Sequence, residues 1–282
     1  MKFQKLKSWA KINLSLNVTK KLSNNYHKIE SLITFIKLSD EINIKKINEK
    51  KHKISFSGKF SKGIAKNNTV IKLLNLLEKK KLIKNIKFRI KITKNIPQKS
   101  GMGGGSMNAS CILKYLIGKK IVNISTKKMN ELAYKVGSDV ILGLEKKNSI
   151  LINNGKTARL NNKINLHVLI VMPDFGCSTG DIFSRVKRFS KPLYFKENKS
   201  FFTIKSLIQS NNDLENIVFK KYPKINNLKY FLLRLPNVVF VRMTGTGSAL
   251  VAYFKSKKSA KTAGMIFKKK YKKYWFVVSK TI

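Results

Sequence analysis

Four glycines fall within residues 101–105 of the stretch Ile96-Pro97-Gln98-Lys99-Ser100-Gly101-Met102-Gly103-Gly104-Gly105-Ser106-Met107-Asn108-Ala109-Ser110. The stretch follows an alternating apolar segment (Phe88, Ile90, Ile92) and runs into an apolar helical pattern. A glycine-rich loop between a strand and a helix gathers free backbone N–H groups around one point. The helix N-terminus adds partial positive charge there, and the combination binds phosphate. Glycine also lets the backbone approach an anion with no Cβ in the way. The spacing is neither a Walker A, which closes on Gly-Lys-Ser/Thr, nor the dinucleotide Gly-x-Gly-x-x-Gly. Taken alone, the segment also reads as a flexible loop that happens to contain glycine.

Three further segments carry residues suited to chemistry, and each has a plainer reading when taken singly. Lys11 lies in an alternating segment, so Lys11, Asn13 and Ser15 share the face opposite Ile12, Leu14 and Leu16. A polar strand face of this kind is most often simply solvated. Asp139, in Val136-Gly137-Ser138-Asp139-Val140, is one of only 13 acidic residues and sits just past a helical pattern. It could act on a proton, or cap the next element. The turn Thr244-Gly245-Thr246-Gly247-Ser248 could be a hairpin connection and nothing more.

The elements that must position these residues are legible in outline. Residues 8–19 alternate as a strand, and a turn at Ser23-Asn24-Asn25 precedes Tyr26-His27. Residues 42–47, 54–56 and 86–93 read as strands. Val70, Leu73, Leu74 and Leu77 recur at helical spacing behind a capping Asn68-Thr69, and a helix follows the glycine loop to about Leu116. Met129, Leu132, Ala133 and Val136 mark another helix, with Gly137 as its C-cap. After polar turns at Asn153-Asn154-Gly155 and Asn161-Asn162 come a buried strand over 167–172 ending at Pro173, helices near 180–188 and 212–221, and an amphipathic stretch over 224–235. A strand, the glycine turn and a second strand occupy 238–254. A lysine-rich helix and a final strand at 275–278 close the pattern. Strands and helices mix without a regular β-α repeat, which favours α+β.

Composition bounds the function classes. At 282 residues and 43% hydrophobic, the chain is long enough for one large or two modest domains with a proper core. No apolar run approaches a membrane span, and Met1-Lys2-Phe3-Gln4-Lys5 lacks a signal-peptide core, so a cytoplasmic location is expected. Cys111 and Cys177 are far apart and form no ligand pattern with His27, His52 and His167, so reduced thiols and no structural metal are expected. Sixty Lys plus Arg against 13 Asp plus Glu gives a net charge of +47. The basic residues are nearly all lysine and spread along the whole chain, amid abundant Asn and Ile. All three have A/T-rich codons, so base bias in a genome accounts for such a surface without nucleic-acid binding. On either reading the protein attracts polyanions in a salt-dependent way.

Together, Ala10-Lys11-Ile12-Asn13-Leu14, Pro97 through Ala109, Gly137-Ser138-Asp139-Val140 and Met243-Thr244-Gly245-Thr246-Gly247 resemble the motifs of the GHMP kinases, the small-molecule kinases named for galactokinase, homoserine kinase, mevalonate kinase and phosphomevalonate kinase. Order and spacing agree across nearly the whole chain. Tyr26-His27, the segment Thr179…Phe183 and Asn212-Asp213-Leu214-Glu215 resemble the members that act on a cytidine-diphosphate sugar alcohol. The resemblance implies a GHMP-kinase fold with an N-terminal half like ribosomal protein S5 domain 2 (residues 1–158, ATP-binding and catalytic) and a ferredoxin-like C-terminal half (residues 159–282), the two substrates meeting between the halves. It implies ATP-dependent phosphorylation of the C2 hydroxyl of the methylerythritol unit, in non-mevalonate isoprenoid biosynthesis.

The resemblance also implies roles. Pro97, Ser100, Gly101, Gly103, Gly104, Gly105, Ser106 and Asn108 form the loop that holds the ATP phosphates, with Mg²⁺ accompanying ATP and Ser106 as its ligand. Asp139 accepts the hydroxyl proton, Lys11 holds that carboxylate and offsets transition-state charge, and Asn13 orients the hydroxyl. Tyr26 and Phe183 sandwich the cytosine, His27 bonds its edge, and Thr179 lies in the same segment. Thr244, Gly245, Thr246 and Gly247 form the family's C-terminal glycine turn. The partners implied are small molecules, with no membrane, and the assembly is a monomer or homodimer. Three segments depart from usual family patterns: Lys99-Ser100 replaces a small or glycine pair, Asn25 stands where glycine often precedes the Tyr-His pair, and Ser138 replaces an alanine. The competing readings are a homoserine- or mevalonate-type kinase, indifferent to Tyr26, and a basic nucleic-acid-binding protein with no need of Asp139.

Overall fold

The structure, a computed structural model, describes residues 2–23, 26–152, 156–195 and 198–282. Asn24 and Asn25 of the expected turn Ser23-Asn24-Asn25, the whole of Asn153-Asn154-Gly155, and with them the departure at Asn25, lie outside the described residues. The chain divides into two compact units that interleave in sequence: Met1–Lys11, Leu38–Gln98 and Gly103–Lys146 form one, and Ile12–Lys37, Lys99–Met102 and Lys147–Ile282 the other. The first two strands, β1 (Gln4–Lys21) and β2 (His27–Ile47), each contribute to both units.

In the first unit, residues 41–47 of β2 pair antiparallel with β4 (Lys87–Thr93), which pairs in parallel with β3 (Lys53–Ser57). Phe88, Ile90 and Ile92 of β4 face a core with Ile42 and Ile44, as their alternation requires. Helix α1 (Thr69–Lys79) starts where Asn68 Oδ1 accepts the N–H groups of Val70 (3.1 Å) and Ile71 (3.3 Å). Its buried residues are Val70, Leu73, Leu74 and Leu77, one stripe at helical spacing. Helix α2 (Gly104–Gly118) packs Ala109, Ile112, Leu113 and Leu116 into the same core, with Leu132, Ala133 and Val136 of α3 (Thr126–Val136). Gly137 is the C-cap of α3, but its φ of 171° is extended backbone.

In the second unit, β5 (Asn148–Leu151) pairs antiparallel with residues 31–33 of β2 and with β6 (Thr157–Leu160). A separate antiparallel sheet contains β7 (His167–Met172), β8 (Phe240–Met243), β9 (Leu250–Phe254) and β10 (Trp275–Lys280), in the order β10-β7-β9-β8. The helices are α4 (Thr179–Ser184), α5 (Ile204–Gln209), α6 (Leu214–Lys221), α7 (Pro223–Leu233) and α8 (Lys257–Lys270). Leu169 and Val171 of β7 meet Leu214 and Val218 of α6, Ile225 and Leu228 of α7, and Ala263 and Phe267 of α8 in one buried cluster. Mixed strands and helices of this kind make an α+β fold. Cys111 and Cys177 are free thiols, each pushed by burial up to about 11. Among the described residues no helix is long and apolar enough to cross a membrane.

Candidate active site

Lys11 is 4% exposed, and its Nζ lies 3.2 Å from Oδ2 of Asp139, whose side chain keeps 36% of its surface. Asp139 occupies a tight turn after α3, in which Val140 N–H bonds the Gly137 carbonyl at 2.9 Å. A buried cation thus stands beside a carboxylate that keeps part of its surface accessible. The first residue before α2, Gly103, has φ +67°, and a methyl there would stand 3.1 Å from Lys11 Cε and 3.5 Å from Asp139 Oδ2. The helix start and the ion pair are therefore neighbours within the first unit. Met107 N–H makes the bond to the Gly103 carbonyl at 2.9 Å. The amides before it are those that a helix N-terminus presents to an anion. Thr69 Oγ1 donates to the Gly105 carbonyl at 2.7 Å, which fixes the first turn. Ser106 is half-buried, whereas Pro97, Ser100 and Asn108 are buried.

Within the second unit, Asn13 joins the glycine turn. Its backbone N–H donates to Thr244 Oγ1 at 3.0 Å, and that hydroxyl lies 3.2 Å from the Gly101 carbonyl oxygen and 3.4 Å from Asn13 Oδ1. Asn13 Nδ2 donates to Ser31 Oγ at 2.7 Å. Gly101 has φ +77°, and a methyl there would fall 1.9 Å from the Thr244 carbonyl oxygen, so only glycine fits. Asn212 holds the turn from behind: its Nδ2 donates to the carbonyls of Met243 (2.9 Å) and Gly245 (2.8 Å). Thr179 and Thr246 bring their hydroxyls within 3.2 Å of each other.

A third group, also in the second unit, carries the aromatics. The rings of His27 and Phe183 stack with centroids 5.3 Å apart, and Phe189 lies 6.3 Å from His27 on similar terms. Nε2 of His27 is buried with no hydrogen-bond partner among the described residues. Burial, with Lys21 second, holds the His27 pKa below its ordinary 6.5 and so keeps the ring neutral at physiological pH. Tyr26 is 71% exposed.

Sequence reasoning overlooked Asp40 and Lys94, which form a buried ion pair beneath the glycine loop, and Ser31, the partner of Asn13. The scarcity of acidic residues was the available signal for Asp40: 13 in 282 residues, and this one fully buried.

The N-terminal domain of GHMP kinases matches residues 68–146, and the GHMP kinases C-terminal domain matches residues 197–273. The chain belongs to the GHMP kinases. Among curated relatives, the 4-diphosphocytidyl-2-C-methyl-D-erythritol kinase of Pelagibacter ubique is 50% identical over 278 residues, 99% of either chain. The enzyme of the same name from Wolbachia sp. subsp. Brugia malayi is 31% identical over 279 residues, 96% of either chain. The crystal structure of a 4-(cytidine 5'-diphospho)-2C-methyl-D-erythritol kinase superposes with a TM-score of 0.78 at 20% identity, covering 98% of this chain and 99% of that one. It shows the GHMP kinase fold.

Proposed function

We propose that the protein transfers the γ-phosphoryl group of ATP to the C2 hydroxyl of 4-(cytidine 5'-diphospho)-2-C-methyl-D-erythritol, in non-mevalonate isoprenoid biosynthesis. The relatives that bear this activity in their names support the substrate over homoserine or mevalonate. The observation that carries the chemistry is the Lys11–Asp139 pair, 3.2 Å apart, beside the N-terminus of α2.

The substrate oxygen attacks the γ-phosphorus as the bond to the β,γ-bridging oxygen breaks, and ADP leaves. The hydroxyl proton passes to the Asp139 carboxylate. Lys11 orients that carboxylate and offsets charge on the transferring group, while Asn13 orients the hydroxyl. Pro97, Ser100, Gly101, Gly103, Gly104, Gly105, Ser106 and Asn108 shape the loop whose amides receive the phosphates. Tyr26 and Phe183 stack on the cytosine, and the unpaired Nε2 of His27 bonds its edge. Thr244, Gly245, Thr246 and Gly247 form the glycine turn against Gly101, and Thr179 meets that turn through the Thr246 hydroxyl.

Among the described residues no group of three or more His, Cys, Asp or Glu side chains could hold a metal ion. If Mg²⁺ accompanies ATP, Ser106 is the hydroxyl of this chain that would help hold it. The ion would supply positive charge to offset that of the phosphates.

The test is ADP release from Mg-ATP with the cytidine substrate, beside homoserine and mevalonate, at moderate salt. Turnover with the cytidine substrate alone upholds the reading. Turnover only with another alcohol would discard the cytosine contacts, and silence on all three would discard the activity.

A further inference from the structure

Asp40 is fully buried and is the acceptor for four donors. Its Oδ1 receives the backbone N–H groups of Asn95 at 2.8 Å and Ile96 at 2.9 Å. Its Oδ2 receives Nδ2 of Asn108 at 3.0 Å and the ammonium of Lys94. Asn95 and Ile96 lie immediately before Pro97, where the glycine loop leaves β4. Asn108 lies in the second turn of α2, behind the loop's far end. One carboxylate thus ties down the backbone before the loop and the helix after it. Lys94 Nζ would stand 3.2 Å from a methyl at Gly104, so the charged pair lies directly under the first residue of α2.

A strand-to-helix corner can be packed with apolar side chains, and a buried ion pair rarely improves stability over them. What four directed hydrogen bonds add is placement: Asp40 fixes where the strand ends relative to where the helix begins. The amides of residues 103–106 hang between those two points. We propose that Asp40 is a positioning residue for nucleotide binding, holding both ends of the glycine loop at the separation that lets its amides converge on phosphate. The inference rests on the reading that this loop receives the ATP phosphates.

The test compares Asp40→Asn and Asn108→Ala with the parent protein. It uses steady-state kinetics with each substrate varied in turn, calorimetric binding of a non-hydrolysable ATP analogue, and thermal unfolding. Both variants should raise the KM for ATP and the Kd for the analogue about tenfold or more, because small misplacements of binding groups are costly. The KM for the cytidine substrate should stay within about twofold. Asn108→Ala leaves Asp40 three of its donors, so it carries the test if Asp40→Asn does not fold. A folded Asn108→Ala with lowered Tm and unchanged nucleotide constants overturns the proposal, since a merely structural clamp would do that. Gly105→Ala and Ser106→Ala separate the two readings. If these loop variants weaken ATP while Asn108→Ala does not, the role of Asp40 fails alone. If none of them moves ATP, the phosphate reading fails with it.

Discussion

Gly101 and Thr244 touch so closely that a methyl on Gly101 would overlap the Thr244 carbonyl oxygen at 1.9 Å. The contact is backbone against backbone, so no side-chain rotation relieves it. The Thr244 hydroxyl reinforces it through the Gly101 carbonyl at 3.2 Å.

Gly101→Ala should therefore cost about 2 kcal/mol or more, from the left-handed φ of +77° and the overlap together, and should lower the activity that the loop supports. Gly180, with nothing within 4 Å of its missing Cβ, is the control: Gly180→Ala should leave Tm nearly unchanged. Equal behaviour of the two variants in thermal unfolding would remove the contact from the account.

Asp139→Asn keeps the shape of the side chain and loses the base. Turnover should fall by about 10²–10⁴-fold or more, with the Kd for an ATP analogue nearly unchanged. Nucleotide binding lost to the same degree would make Asp139 a structural partner of Lys11 and nothing else.

Tyr26→Ala removes a ring that is 71% exposed, so stability should barely move. A stacking contact with a base is worth about 1–3 kcal/mol, so the KM for the cytidine substrate should rise by about 5- to 150-fold while that for ATP stays put. Unchanged values for both substrates would sink the stacking role.

The histidines set an acid limit on stability. Nδ1 of His52 accepts the Phe88 N–H at 3.0 Å, which requires that nitrogen to be unprotonated. Burial lowers the His52 pKa below 6.5, and burial is also the main cause at His27 and His167. Below 6.5 the unfolded chain therefore binds more protons than the native protein. The stability these groups contribute is complete above 6.5 and is lost as pH falls through their lower folded values. Stability should fall as pH drops from about 7.5 to about 5.5, by at most about 1.4 kcal/mol per pH unit for each histidine and seen as a falling Tm, and His52→Gln should flatten the slope. A Tm constant across that range contradicts the assignment.

Much of the first unit was legible because local signals agree there. Asn68 caps α1 and its four apolar residues follow the helical period, as the structure bears out. The early part of β2 was not legible, since residues 30–36 are all buried and show no alternation. Glu30 and Ser31 look like surface residues in sequence. Their bonds go to the Leu193 and Tyr194 N–H groups and to Ser15 and Asn13, none of which a local pattern reveals. Strands β5 and β6 have four residues each, too few for a periodicity to register. The glycine loop and the Lys11 and Asp139 segments stood out through their motifs. Asp40 did not, because its side-chain partners Lys94 and Asn108 lie 54 and 68 positions away.

The Gly101–Thr244 contact also bears on the chain during its synthesis. The two residues are 143 positions apart, and at roughly 5–20 residues per second a ribosome takes about 7 to 30 s to travel between them. For that interval the glycine loop lacks the carbonyl wall that shapes it, and Asn13 lacks the hydroxyl that accepts its backbone N–H. A nascent chain therefore carries its glycine loop and this strand long before either is held in its final form, and completion of the loop waits on translation of the glycine turn.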